Sequence, residues 1–170
     1  MTIVNDVPVG QRPQPAAVDV ARDPADDHAC DHLAALIALA AQAPTAWVLL
    51  RVGDLLRLVG AYGAPPDALL LRAAPLSSTL AGVIFASGTV HIVDDVHHDA
   101  NLPADAPIRL LGIGAYLGCP VRDRNGDVVG ICAATDPQPR RWRSEQVAAV
   151  EHAAAFLAAS RRLGSAETTP

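Results

Sequence analysis

The chain has 170 residues, 51% of them hydrophobic but only 4% aromatic, and a net charge of -5. That suits one domain whose core is built from Leu, Val, Ile and Ala. Every basic residue is arginine, which excludes mechanisms that need a lysine, such as a Schiff base or a phosphate-gripping loop lysine.

The acidic balance and the lack of a basic block speak against nucleic acid as a partner. No apolar run reaches the roughly 18 residues of a membrane span. The first ten residues lack the basic and apolar regions of a signal peptide, so none is expected. Three irregularly spaced cysteines fit reduced thiols. The expected location is therefore cytoplasmic.

Residues 1–30 read as a flexible tail, because Pro8, Pro13, Pro15 and Pro24 recur without periodicity. Asp31 can cap a first helix with Leu33, Leu36, Ile37 and Ala40 on one face, bounded by Pro44. Thr45–Val52 and Leu55–Tyr62 read as two strands around the tight turn Gly53-Asp54. The stretch 63–75 reads as irregular. A second helix is expected over Ser77–Ser87 with Leu80 and Ile84 inward, stopped by Gly88. A short strand, Thr89–Val93, and a polar loop, Asp94–Pro103, follow. Asp105 can cap a short helix with Pro107 in its first turn and Gly112 at its end.

Ala115–Arg122 and Val128–Ala134 read as a second hairpin around Asn125-Gly126. A symmetric turn there would set Cys119 opposite Cys132. Ser144 can cap a long amphipathic helix to Leu163, with Val147, Val150, Ala154 and Leu157 inward. Residues 164–170 read as a second tail. Adjacent hairpins with long helical crossovers imply an antiparallel sheet covered by helices, an α+β fold spanning 31–163.

Two segments carry a resemblance. One runs Gly114-Ala-Tyr-Leu-Gly118-Cys-Pro120-Val, Asp123-Arg-Asn-Gly126-Asp-Val-Val-Gly130, Thr135-Asp136 and Arg141-Trp142-Arg-Ser144-Glu; the other is Ala86-Ser-Gly88 followed by Ile92-Val-Asp-Asp95-Val. In this order the motifs resemble the GAF domain family over roughly Asp31 to Leu163. The resemblance implies a GAF/PAS-like sheet of five to six strands. It also implies a small-molecule pocket between one sheet face and the segments Leu76–Ser87 and Asp94–Gly112, with signalling through the terminal helices of a homodimer. Physical roles fit the match: Pro120 can occupy a strand position needing no donor, and Trp142 can staple the entry of the last helix.

The family's sharper versions lack their marks. The Asn-Lys-x-Phe signature of its cyclic-nucleotide binders is absent for want of lysine. No cysteine lies in the pocket-flanking segments, so covalent bilin attachment is not expected. Arg109, Leu110 and Leu111 stand where haem binders place a histidine, while His97 and His98 lie further back and leave an axial ligand open without indicating one, so the cofactor stays unidentified. By the same comparison, Ala81 and Arg109 replace the cysteines of the family's free methionine sulfoxide reductases. A thiol reductase using Cys119 and Cys132 remains an alternative to the sensor, as does a dimerisation module that binds no ligand. The opposed cysteines read as a redox pair or, better in a reducing compartment, as two small buried hydrophobes.

The candidate ligand-binding residues are Arg109 and Tyr116, with Asp95, His97, Phe85 and Leu50 around them. Arg109 would pair an anionic ligand or face solvent. The run His91, Asp94, Asp95, His97, His98, Asp99 has metal-ligand residue types without metal-ligand spacing, so it reads as a solvated loop with Asp95 capping the next segment. No catalytic residue is expected. With no effector segment recognised in the chain, the expected partners are a small molecule, a second copy of the chain and a regulatory protein in trans.

Overall fold

The computed structural model describes residues 24–66, 73–76, 79–102 and 106–164. The proposed cap Asp105 lies outside them. The elements are α1 (Pro24–Ala41), β1 (Thr45–Val52), β2 (Leu55–Tyr62), β3 (Ala73–Pro75), α2 (Leu80–Ser87), β4 (His91–Val93), α3 (Pro107–Leu110), β5 (Ala115–Arg122), β6 (Val128–Asp136) and α4 (Ser144–Gly164).

Six antiparallel strands form one sheet in the order β3-β2-β1-β6-β5-β4. Hairpins β1–β2 and β5–β6 meet at its centre, where β1 pairs β6 from Thr45–Thr135 to Leu50–Gly130. Strand alternation sends Ala46, Val48 and Leu50, with Leu117, Cys119, Val121, Cys132 and Ala134, to one face, where α1 and α4 cover them. Tyr116, Ile131 and Ala133 point to the other face, against Leu80, Ala81 and Ile84 of α2.

Leu36 and Ala40, read on one face with Leu33 and Ile37, are exposed while those two are buried, and three further local expectations change. The helix expected from Asp31 starts at Pro24, so residues 24–30 are helical and not tail. A proline at a helix start is a start signal, which its recurrence with other prolines disguised. Asp31 instead accepts the Ala61 N–H at 2.9 Å, tying α1 to β2. Second, Ala73–Pro75 is a strand within the stretch read as irregular. It has no strand-forming side chains; pairing with Leu55–Arg57 alone makes it one, and a proline is tolerated because this is a sheet edge. Third, Ser144 does not cap α4. Buried Gln146 does so, accepting the Arg143 N–H at 2.9 Å through Oε1 while Nε2 donates to the Ala41 carbonyl at 2.7 Å. One side chain thus closes the start of α4 and the end of α1. Ala106 precedes α3, with no side-chain cap bond of its own.

The second hairpin reaches the expected pairing by another route. The loop Asp123–Asp127 has five residues, and Arg122 pairs Val128; a bulge at Val129 then restores Val121–Gly130 and Cys119–Cys132. Strand β4 pairs only Tyr116, Leu117 and Gly118. Pro120, two residues on, offers no N–H to a continuing neighbour. Beyond that point a cleft of about 680 Å³ opens between Thr89–Val90, Pro120 and the α4 residues Glu151, Ala155 and Ala158. Trp142 is buried in the α1–α4 core, with the Arg140 guanidinium 4.7 Å above its ring. No described helix is long and apolar enough to cross a membrane.

Candidate functional site

Both faces of the sheet have a buried centre, with Ile84, Val96 and Ile131 fully buried on the α2–α3 side, and a rim of partly covered apolar side chains. Under α1 and α4 the large side chains Ile37, Val48, Leu117, Val121 and Val150 are fully buried. On the α2–α3 face a buried centre is ringed by apolar side chains that are only partly covered: Trp47, Leu49, Leu76, Phe85, Leu102, Ile108 and Leu111. A partly covered apolar ring around a few polar groups is the chemistry of a small-molecule site.

Tyr116 lies at the centre. It is 6% exposed, and burial pushes its hydroxyl well above the usual phenol range, so it stays a neutral donor. Its ring folds back over Gly118, where a Cβ would collide with Tyr116 Oη and with Ile84 Cδ1. The glycine in the Tyr-Leu-Gly motif is therefore the seat of the tyrosine ring. His91, across the strand from Gly118, tilts its ring 6.3 Å from that of Tyr116. Its desolvation holds its pKa below the usual histidine value, against the pull of Asp99. Trp47 Nε1 donates to Thr135 Oγ1 at 2.9 Å, a second polar group on this face.

Arg109 does not point at this centre. Its Nη1 donates to the carbonyls of Val96 and His97 at 2.6 and 2.7 Å, and its Nη2 to those of Asp99 and Leu102 at 3.1 and 3.0 Å. One guanidinium gathers four carbonyls and clamps the loop 94–102 to α3. Such a fork suits arginine alone. Neither of the two roles weighed for Arg109, anion pairing or solvent exposure, describes this arrangement.

Asp95 acts within the same loop. Its Oδ1 accepts the N–H groups of His97 and His98 at 3.0 and 3.2 Å, and its Oδ2 lies 2.9 Å from His98 Nδ1. The His98 hydrogen bond holds the Asp95 carboxyl below its usual value. His97 is exposed and takes part through its backbone, its N–H to Asp95 and its carbonyl to Arg109. Among the described residues no group of three His, Cys, Asp or Glu side chains could hold a metal.

The six candidate residues thus separate. Tyr116 and Phe85 share the α2 face; Asp95, His97 and Arg109 build the loop that borders it. Leu50 lies on the opposite face, in the α1–α4 core. Trp47 and Leu49, its neighbours in β1, were missed. Period-two alternation separates them from Leu50, but it does not say which face carries the site. Cys119 and Cys132 are also on the α1–α4 side. Burial, helped by Glu151, pushes the Cys119 thiol up to about 12; burial and the neighbouring thiols raise Cys132 as well.

The family model for the GAF domain matches residues 26–160. No curated protein sequence matches the chain. Among solved structures, the chain is similar to the GAF domain of an Acinetobacter phosphoenolpyruvate-protein phosphotransferase (17% identity, TM-score 0.68, covering 84% of this chain and 86% of that one). It is similar to the second GAF domain of DevS from Mycobacterium smegmatis (23%, 0.64, 85% and 97%). A third similar structure is a type II free methionine-R-sulfoxide reductase from Thermoplasma acidophilum (14%, 0.65, 79% and 89%). At these identities the likeness is one of fold.

Proposed function

The chain belongs to the GAF domain family, and from that premise we propose that it is a sensory module that binds a small molecule on the α2–α3 face of its sheet. The carrying observation is the ring of large half-buried apolar side chains, Trp47, Leu49 and Phe85 among them, around buried Tyr116. The ligand that suits this face is mostly apolar, with one acceptor for Tyr116. An anionic headgroup has no favoured partner there, because Arg109 is engaged by loop carbonyls.

Output would pass through α1 and α4, within a homodimer and to a regulatory partner. Supporting this, Leu36, Leu39 and Phe156 on those helices are 62%, 76% and 64% exposed. The reductase reading, prompted by the Thermoplasma neighbour, would need a reactive thiolate near the ligand. Cys119 and Cys132 are buried on the other face, with raised thiol pKa values, so the sensory reading fits better.

Trp47 supplies the test. It stands on the proposed face, whereas Trp142 stands in the opposite core. A panel of small metabolites is screened by thermal shift, and hits are titrated while tryptophan emission is followed. The reading expects a hit that raises the melting midpoint, changes emission in wild type but not in Trp47→Phe, and weakens in Tyr116→Phe. A broad panel with no hit, or hits indifferent to both changes, would overturn it.

A further inference from the structure

At the hairpin end of the sheet, away from Tyr116 and the loop 94–102, lies a second cleft of about 500 Å³. Its volume falls in the range of small-molecule sites, about 300–1,000 Å³. Arg51, near the end of β1, forms one side. Its Nε donates to the Gly53 carbonyl at 2.9 Å, and its guanidinium carbon lies 5.8 Å from the centroid of the Phe85 ring. These two contacts orient the fork, and among the described residues no carboxylate pairs with it.

Two carboxylates of the β5–β6 hairpin, Asp123 and Asp127, also line the cleft. Asp123 is held in place, its Oδ1 accepting the N–H groups of Asn125 and Asp127 at 2.8 and 2.9 Å. The five-residue loop sets both acids at the base of the hairpin. Phe85, Val128 and Val129, all half-buried, complete the cleft with apolar surface.

A simple anion entering this cleft meets two carboxylates, and a simple cation meets Arg51. A molecule with both charges and an apolar body satisfies all three kinds of wall. We propose that this cleft binds a small zwitterion with an apolar side group, the chemistry of a free apolar α-amino acid. Its carboxylate would face Arg51, its ammonium the Asp127 side, and its side group Phe85 and Val128. This cleft shares Phe85 with the ring around Tyr116 but lies at the hairpin end, where Arg51, Asp123, Asp127 and Val128 line it.

The test is a titration of the ¹⁵N-labelled full chain with L-phenylalanine and L-leucine, followed by amide chemical shifts. Phenethylamine and 3-phenylpropanoate, each keeping one charge, are run in parallel. The expected result is shifts centred on Arg51, Phe85, Asp127 and Val128, with each one-charge analogue binding about tenfold more weakly or worse. Arg51→Gln and Asp127→Asn should each weaken the amino acids about tenfold. Both are surface changes, and the wild-type shift map stands without them. No shift by either amino acid, equal binding of the analogues, or unchanged affinity in both variants would overturn the proposal. Shifts confined to Tyr116, His91 and the loop 94–102 would also overturn it while supporting the reading of the Tyr116 site. The metabolite screen on Trp47 is decided independently.

Discussion

Gly118 shows how one residue ties the sequence motif to the site. Its missing side chain leaves room for the Tyr116 hydroxyl and for Ile84. Gly118→Ala should therefore destabilise the fold by about 1–3 kcal/mol, the usual cost of overpacking. Tyr116→Phe removes the nearest obstructing atom and should return part of that loss. Denaturant melts of both single variants and the double variant measure the coupling; additive effects would show that the tyrosine ring is not seated there.

The cysteines make a second prediction at this scale. With its thiol pushed up to about 12, Cys119 holds a vanishing thiolate fraction at pH 8. Its labelling by an alkylating reagent should be on the order of a thousandfold slower than that of an ordinary thiol. Cys132 should behave alike, and half-buried Cys30 should label first. Mass mapping after timed alkylation checks the order, and denaturant should abolish it.

Among the elements, the loop 94–102 depends on one side chain. Arg109→Lys keeps the charge but replaces a planar fork by a point donor that cannot hold four carbonyls at once. Hydrogen exchange across 94–102 should quicken in this variant while the global unfolding midpoint moves little, because the loop lies outside the sheet ladders. Asp95 adds a pH dependence. Its folded pKa is depressed, so the turn it holds is fully formed above the ordinary value of 3.8 and is lost as pH falls through the lower folded value. The His97 and His98 amide shifts report it.

Gln146 joins two helix ends. Gln146→Ala leaves the Ala41 carbonyl without its buried partner and the Arg143 N–H without its part-buried one, and should cost about 2 kcal/mol. Thermal or urea unfolding measures it. The serine two residues before it looked like the cap because serine is a common cap residue. Gln146 was invisible as a cap because half of its function is at Ala41, 105 positions away in the chain.

For the whole molecule, the exposed apolar side chains of α1 and α4 predict self-association. Leu39→Glu and Phe156→Glu should shift the solution mass by light scattering from dimer toward monomer without unfolding the sheet. A wild-type monomer at high concentration would count against the dimer.

The strands and helices that could be read from residues alone are those whose own side chains dictate them. Thr45–Val52, Leu55–Tyr62 and Ala115–Arg122 alternate, and the turns between hairpin strands carry Gly53 and Gly126, both with positive φ in the structure. Motif order added the family, and with it the sheet and the face-covering helices. Tertiary contact alone decided the rest. Ala73–Pro75 becomes a strand only beside β2. Arg109 becomes a clamp only where α3 meets four turned-in carbonyls. Leu50 and Trp47, three positions apart, fall on opposite faces. The sequence determined which residues share a face; which helices cover each face depended on where they packed, because alternation is blind to what lies above the sheet.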